Sequence, residues 1–192
     1  MTKAGYRPPM ANNGRWEKDV LWLRARMIQA IRNLFVFHDY LEVETPCRIP
    51  APAPEVHIDA LCSGDWFLHT SPELCMKRLL AAGYPLIFQI CKCFRKEERG
   101  TRHLPEFTML EWYHAGIDYR ELMKECEGLL TKLFMELGCG DSLSYQGRSI
   151  LLTPPWQRVA LREAFSLYAP LPLAEALQRD CCDEVMAINI EP

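Results

Sequence analysis

No stretch of this sequence approaches the run of about twenty apolar residues that crosses a bilayer. The start, Met1-Thr2-Lys3-Ala4-Gly5-Tyr6-Arg7-Pro8-Pro9, also lacks the hydrophobic segment of a signal peptide. A cytoplasmic protein with no membrane partner is expected. Positive charge is not in excess, with 22 Lys and Arg against 25 Asp and Glu and a net charge of −3, so a broad electrostatic grip on nucleic acid is excluded. No repeat or low-complexity tract interrupts the chain. Cys-x-x-Cys is absent as well. The nine cysteines are an odd total, and the Cys91-Lys92-Cys93 and Cys181-Cys182 pairs lack zinc-type partners at the usual spacing. They are read as free thiols in a reducing compartment, with no metal site expected. What remains is 192 residues at 49% hydrophobic content, enough for one domain with a substantial core.

Two strand-like runs carry the chemistry. Successive side chains of a strand alternate faces, so in Leu86 to Arg95 the residues Gln89, Cys91, Cys93 and Arg95 share one face and Phe88, Ile90 and Phe94 the other. In Glu106 to His114, Phe107, Met109, Glu111 and Tyr113 fall together, opposite Thr108, Leu110 and Trp112. Paired as a long hairpin, the two runs line one surface with Arg95, Phe107, Glu111 and Tyr113. Lys92 falls on the apolar face, which requires either a bulge or a snorkelling side chain. The connecting loop holds Lys96, Arg99, Arg102 and His103 against Glu97 and Glu98, a cationic turn suited to a polyphosphate or, equally, to solvent.

Around the hairpin the periodicity predicts a helix from about Glu17 to His38 with an apolar stripe of Val20, Leu23, Met27, Ile31, Leu34 and Phe35. A short strand over Glu42 to Glu44 stops at Thr45-Pro46, and Arg48 to Pro54, with three prolines, is expected as irregular loop. Ser71-Pro72-Glu73 opens a helix that ends near Gly83, with an acid at the positive dipole end. A further helix runs from Arg120 to Leu137, stopped by Gly138, with Leu122, Cys126, Leu129, Leu133 and Leu137 facing the sheet. A hairpin over Ser144 to Ile150, a helix near Leu161, another over Ala174 to Arg179 and a segment from Val185 to Ile190 complete the chain.

The ordered series Phe94-Arg95-x-Glu97, a basic loop, then Arg102-His103-x-Pro105-Glu106-Phe107-Thr108-Met109-Leu110-Glu111-Trp112-Tyr113 strongly resembles motif 2 of class II aminoacyl-tRNA synthetases of the lysyl type. Phe35 with Leu41-Glu42-Val43-Glu44-Thr45-Pro46 resembles motif 1, and Thr70-Ser71-Pro72-Glu73 with Met76-Lys77-Arg78-Leu79-Leu80 resembles the segment before motif 2. The resemblance covers about Trp22 to Glu136. It implies an α+β fold, a class II synthetase-like antiparallel sheet flanked by helices and incomplete at the C-terminus. The division would be an extension over 1–16 and a partial catalytic domain over 17–192, with motif 1 at about 22–46 and motif 2 at about 86–115. Motif 3, a Gly-x-Gly-x-Asp-Arg element, is not found in these residues.

Within the family, the chain is most similar to the branch that lacks an anticodon-binding barrel and attaches lysine or β-lysine to elongation factor P. About twenty residues precede the motif 1 helix, too few for such a barrel. The resemblance implies a ligase that uses ATP and Mg2+, the metal ligands lying outside this sequence, and a homodimer, with tRNA binding not expected. It also implies that this chain is a shortened form with little activity alone. Residue by residue, Arg95 would bridge the α-phosphate and the substrate carboxylate, Glu97 would contact adenine, His103 the outer phosphates, and Phe107 would stack on the adenine ring. Glu73 would hold the α-amino group, while Glu111 and Tyr113 would hold the side-chain ammonium. Two residues keep a structural alternative: Glu73 complementing the helix dipole, and Glu111 neutralised by a basic side chain of the protein itself. Leu104 departs from the polar residue common after the histidine. A fragment of a lysyl-tRNA synthetase and a non-catalytic paralogue remain alternative readings.

Overall fold

The structure is a computed structural model that describes residues 18–98, 100 and 103–182. The expected extension over 1–16, Arg99 and Arg102 of the basic loop, and the segment from Val185 to Ile190 lie outside the described residues. Two compact units divide the chain after Leu152, and each is taken by itself.

The first unit opens with α1 (Lys18–Phe37), which leads through a turn at Asp39 into β1 (Leu41–Glu42). Next come β2 (Arg48–Ile49), β3 (Cys62–Ser63), β4 (Trp66–Leu68) and α2 (Glu73–Ala81). The long hairpin follows as β5 (Leu86–Phe94) and β6 (Glu106–His114), then α3 (Tyr119–Glu136) and the hairpin β7 (Ser142–Tyr145) and β8 (Arg148–Leu151). The second unit holds α4 (Leu161–Tyr168) and α5 (Leu173–Gln178), closed around Phe165 and Ala176. Helices beside mostly antiparallel strands make this an α+β fold. No described helix is long and apolar enough to cross a membrane.

β5 and β6 pair through nine consecutive positions, from Leu86 opposite His114 to Phe94 opposite Glu106. The unbroken register leaves no bulge at Lys92; its side chain instead runs out to Glu106, 3.1 Å away, which is the snorkelling alternative. The expected antiparallel sheet needs one correction, because β1 joins β5 in parallel and the order is β1-β5-β6. β1 itself is shorter than expected and ends at Glu42, although the amide of Val43 still donates to the Phe88 carbonyl. A second correction concerns Arg48 to Pro54: Arg48 and Ile49 pair with β4, so the irregular loop begins after them. Strands of two or three residues carry too little alternation to be read from sequence.

The apolar face of the hairpin is the main core. Phe88 is fully buried and stacks on Phe35 with ring centroids 4.7 Å apart, while Tyr40 and Trp112 meet the same Phe35 ring at 5.0 and 5.5 Å. α1 contributes Ala30 and Ile31, and α3 contributes Leu129, Leu133 and Leu137. Leu122, expected on that face, is instead exposed, as is Val20 of α1. Each sits in the first turns of its helix, short of the apolar cluster. α3 starts where its sequence dictates: the Asp118 carboxylate accepts from the amides of Arg120 and Glu121, and Glu121 reaches back to the Asp118 amide.

Candidate functional site

The opposite face of the hairpin is polar. Because Gln89 lies opposite Glu111, Cys91 opposite Met109 and Cys93 opposite Phe107, the register puts these residues on one surface, with Tyr113 at one end. Arg95, one residue beyond β5, is tied by its amide to the Pro105 carbonyl at 2.9 Å, and its guanidinium lies 5.1 Å from the Phe107 ring centroid. From Phe107 to Glu111 the strand runs roughly 13 Å. Four of the expected site residues, Arg95, Phe107, Glu111 and Tyr113, therefore share one surface.

The Glu111 carboxylate is held from both sides. Ser71 donates to Oε2 at 2.6 Å and Tyr113 donates to Oε1 at 2.8 Å, and both donors are neutral hydroxyls. Among the described residues no basic side chain pairs with Glu111, so the alternative of internal neutralisation finds no partner here. Burial, the hydrogen bond to Glu111 and the charges of Glu111 and Glu73 hold the Tyr113 phenol well above its usual range. A carboxylate fixed by neutral donors keeps its full negative charge for a ligand.

Ser71 stands at the start of α2, and its hydroxyl has two roles, one local and one tertiary. Its hydroxyl accepts from the Glu73 amide at 3.1 Å while donating to Glu111, thereby linking the start of α2 to β6. Glu73, in the first turn of α2, pairs with Lys77 one turn later. That pairing gives Glu73 a cation within α2, whereas Glu111 has none among the described residues. Gln89, 2% exposed, is oriented by the Thr45 hydroxyl at 3.0 Å, a contact across 44 residues that no local pattern encodes.

At the other end of the surface, Arg95 makes a 3.5 Å ion pair with Glu98, and its Nε is buried without a partner. A buried guanidinium nitrogen left unpaired is costly, and an anionic ligand would satisfy it. Glu97 projects into solvent with a left-handed backbone and pairs with Lys96 at 3.3 Å. His103 is exposed, its carbonyl accepting from the Gly100 amide at 3.3 Å. Both lie exposed on the loop that joins β5 to β6, the loop that begins at Arg95.

Beneath the surface lies a group that sequence reasoning missed. His69, 1% exposed, reaches the Cys91 and Cys93 sulfurs, and its Nε2 lies 2.6 Å from the Lys92 carbonyl. Hydrogen bonding from Cys93, reinforced by His69, draws the Cys91 thiol down to about 5, and the same bond, with burial, pushes Cys93 up. Burial drives the His69 ring down, but its bonds to Cys91 and the Lys92 carbonyl outweigh this and leave it raised.

The matching family model, tRNA synthetases class II (D, K and N), spans residues 11–185. The chain belongs to this class II synthetase family. Curated relatives of the class II chain include a lysine-tRNA ligase from Azoarcus sp. (strain BH72), 42% identical over 153 residues, which are 77% of this chain and 30% of that protein. A lysine-tRNA ligase from Syntrophomonas wolfei is 34% identical over 181 residues, 91% of this chain and 36% of the relative. An elongation factor P-(R)-beta-lysine ligase from Vibrio atlanticus is 43% identical over 133 residues, 64% of this chain and 41% of the relative. This class II chain therefore spans about a third of the length of the lysine-tRNA ligases it matches.

Proposed function

We propose that this chain carries the recognition surface of a ligase that activates lysine or β-lysine with ATP as an aminoacyl-adenylate and passes it to a lysine side chain of elongation factor P. The observation that carries the reading is Glu111, a carboxylate gripped by two neutral hydroxyls and left without a cation, on the same strand surface as an arginine with a buried unpaired nitrogen. An ammonium satisfies the first and a phosphate or carboxylate the second. In the proposed reaction the amino acid carboxylate attacks the α-phosphorus, pyrophosphate leaves, and an acceptor amine then attacks the activated carbonyl. Arg95 would stabilise the negative charge that gathers as those groups meet, and no protein nucleophile is needed. Phe107 would offer its ring for adenine, and Glu73, whose charge reaches Tyr113, would hold the α-amino group. Glu97 and His103 would have to turn inward from their exposed positions.

Magnesium does not fit the described residues. Among them, the His, Cys, Asp or Glu side chains close enough to share an ion are His69, Cys91 and Cys93, whose sulfurs do not suit a hard cation. Its ligands, like the motif 3 arginine, would come from elsewhere, so these 192 residues alone should give little pyrophosphate exchange. The domain reading is an extension over 1–16 followed by catalytic-domain sequence over 17–192, with motif 1 at 22–46 and motif 2 at 86–115. Dimerisation through the motif 1 region is supported by the exposed apolar residues of α1, Leu21, Trp22, Val36 and Phe37.

The elongation factor P acceptor is supported by the Vibrio relative's name and identity. A tRNA acceptor is the second reading, favoured by the longer matched stretch in the Azoarcus lysine-tRNA ligase. The deciding experiment supplies ATP and labelled lysine or β-lysine, with either elongation factor P or tRNA, to the reading frame that contains this chain. Label on elongation factor P is expected, and label on tRNA alone rejects that acceptor.

A further inference from the structure

We propose that His69, Cys91 and Cys93 form a binding site for a thiophilic metal ion of the zinc type, built into the floor of the polar hairpin surface. The three donor atoms make a nearly equilateral triangle: Cys91 Sγ to Cys93 Sγ is 3.9 Å, and His69 Nε2 lies 4.0 Å from each sulfur. A point equidistant from the corners of such a triangle is about 2.3 Å from each, the length of a zinc-sulfur bond and slightly more than a zinc-nitrogen bond. Closure of the ring nitrogen by a few tenths of an ångström completes three legs of a tetrahedron.

The chemistry of the donors agrees with this geometry. Two thiolates and an imidazole select soft or borderline cations, and the Met109 thioether, 3.9 Å from Cys93 Sγ, adds a further soft group beside the site. The scaffold is rigid. Cys91 and Cys93 are alternate residues of β5, held to one face by its nine-position register with β6, and His69 is fixed by its own amide donating to the Cys47 carbonyl at 2.8 Å and its carbonyl accepting from the Phe94 amide at 3.0 Å. A disulfide is the poorer use of the two thiols. Alternate residues of a strand stand roughly 6.6 Å apart, at the wide limit of what a disulfide spans. On metal binding Nε2 gives up the proton it shares with the Lys92 carbonyl and turns its lone pair to the ion, the neutral ring carries its proton on Nδ1 instead, and the thiol protons pass to solvent.

The position gives the site a consequence. Two residues after His69, Ser71 donates to Glu111, so an ion that pins His69 to β5 also fixes the hydroxyl that aims the carboxylate. The proposal stands apart from the assignment of Glu111 to an ammonium, since its test uses the metal alone.

The test is a cobalt titration of the reduced, metal-free chain. One equivalent of Co2+ should produce a sulfur-to-cobalt charge-transfer band in the near ultraviolet together with tetrahedral bands in the visible, both displaced by zinc. Cys91→Ser should lose most of the charge-transfer intensity, whereas Cys62→Ser, which removes an exposed thiol of β3, should leave the spectrum unchanged. An unaltered spectrum in Cys91→Ser, or no charge-transfer band in the parent chain, overturns the site. X-ray absorption of the zinc-loaded parent protein needs no variant. It should show two sulfurs near about 2.3 Å and a nitrogen near about 2.0 Å, and a shell of four sulfurs or of oxygens alone refutes the assignment.

Discussion

Each face of the long hairpin holds a glutamate hydrogen-bonded to a tyrosine at 2.8 Å, yet the two pairs are built for different ends. On the core face Tyr40 donates to Glu125, which is also met by His114 at 2.5 Å and by the Trp112 indole at 3.4 Å. On the polar face Tyr113 donates to Glu111, whose other partner is the Ser71 hydroxyl. Glu125 thus has a titratable base at hand and is satisfied from within the protein. The carboxylate of Glu111 is oriented but not neutralised. A cavity of about 400 Å³ opens beside Glu125 between α1 and α3, but Tyr40, His114 and Glu125 in its wall are already engaged with one another. Self-satisfied polar groups secure a fold, and incompletely satisfied ones wait for a ligand.

The strongest way to sharpen this contrast is to remove the apolar platform behind the core pair. Phe88→Ala deletes a fully buried ring stacked on Phe35, and a loss of about 3–5 kcal/mol of stability is expected. Urea unfolding monitored by circular dichroism measures it. A loss below about 1 kcal/mol would mean that the face facing α1 and α3 is not the principal core.

Exchanging the two carboxylates tests the comparison directly. Glu111→Gln should lower affinity for lysine at least tenfold, a change of about 1.4 kcal/mol or more, with stability unchanged or slightly improved. Glu125→Gln should do the reverse, costing about 1–2 kcal/mol of stability through the lost charge-assisted bond to His114 while leaving lysine affinity alone. Calorimetric titration with lysine and thermal melts of both variants separate the outcomes. Equal effects of the two substitutions on lysine binding would erase the distinction between the faces.

Much of this contrast was legible in the sequence, because period-two alternation from Leu86 to Arg95 and from Glu106 to His114 already sorted Arg95, Phe107, Glu111 and Tyr113 onto one side. Nine paired positions leave little freedom once one face must be buried. The helices were legible for the same reason, α3 almost to the residue. What the sequence concealed is non-local or too short. The partners of Glu111 come from Ser71, 40 residues earlier, and His69 arrives beside Cys91 from 22 residues away, so a search for metal-ligand spacing passes over it. The two- and three-residue strands β2, β3 and β4 carry no measurable period. Glu97 and His103 illustrate a different limit: a motif assigns them roles, but both are exposed and no contact of theirs in the described residues speaks to those roles.

The smallest expected effect lies at alkaline pH and follows from the two tyrosines. Burial and hydrogen bonding to a carboxylate hold both phenols above the usual value of about 10. A phenol whose affinity for its proton is greater in the folded state contributes stability that is complete below pH 10. Above pH 10 the unfolded chain releases these protons first, so stability falls as pH rises until the folded phenols ionise too. Tyr40→Phe and Tyr113→Phe should each flatten that decline, as measured by the slope of melting temperature against pH from 9 to 11.5. Lysine should flatten the decline only where Tyr113 remains, since a cation against Glu111 offsets the carboxylate charge that raises the phenol bonded to it and does not act on Tyr40. An equal effect of lysine on the Tyr40→Phe and Tyr113→Phe slopes would place the ligand elsewhere.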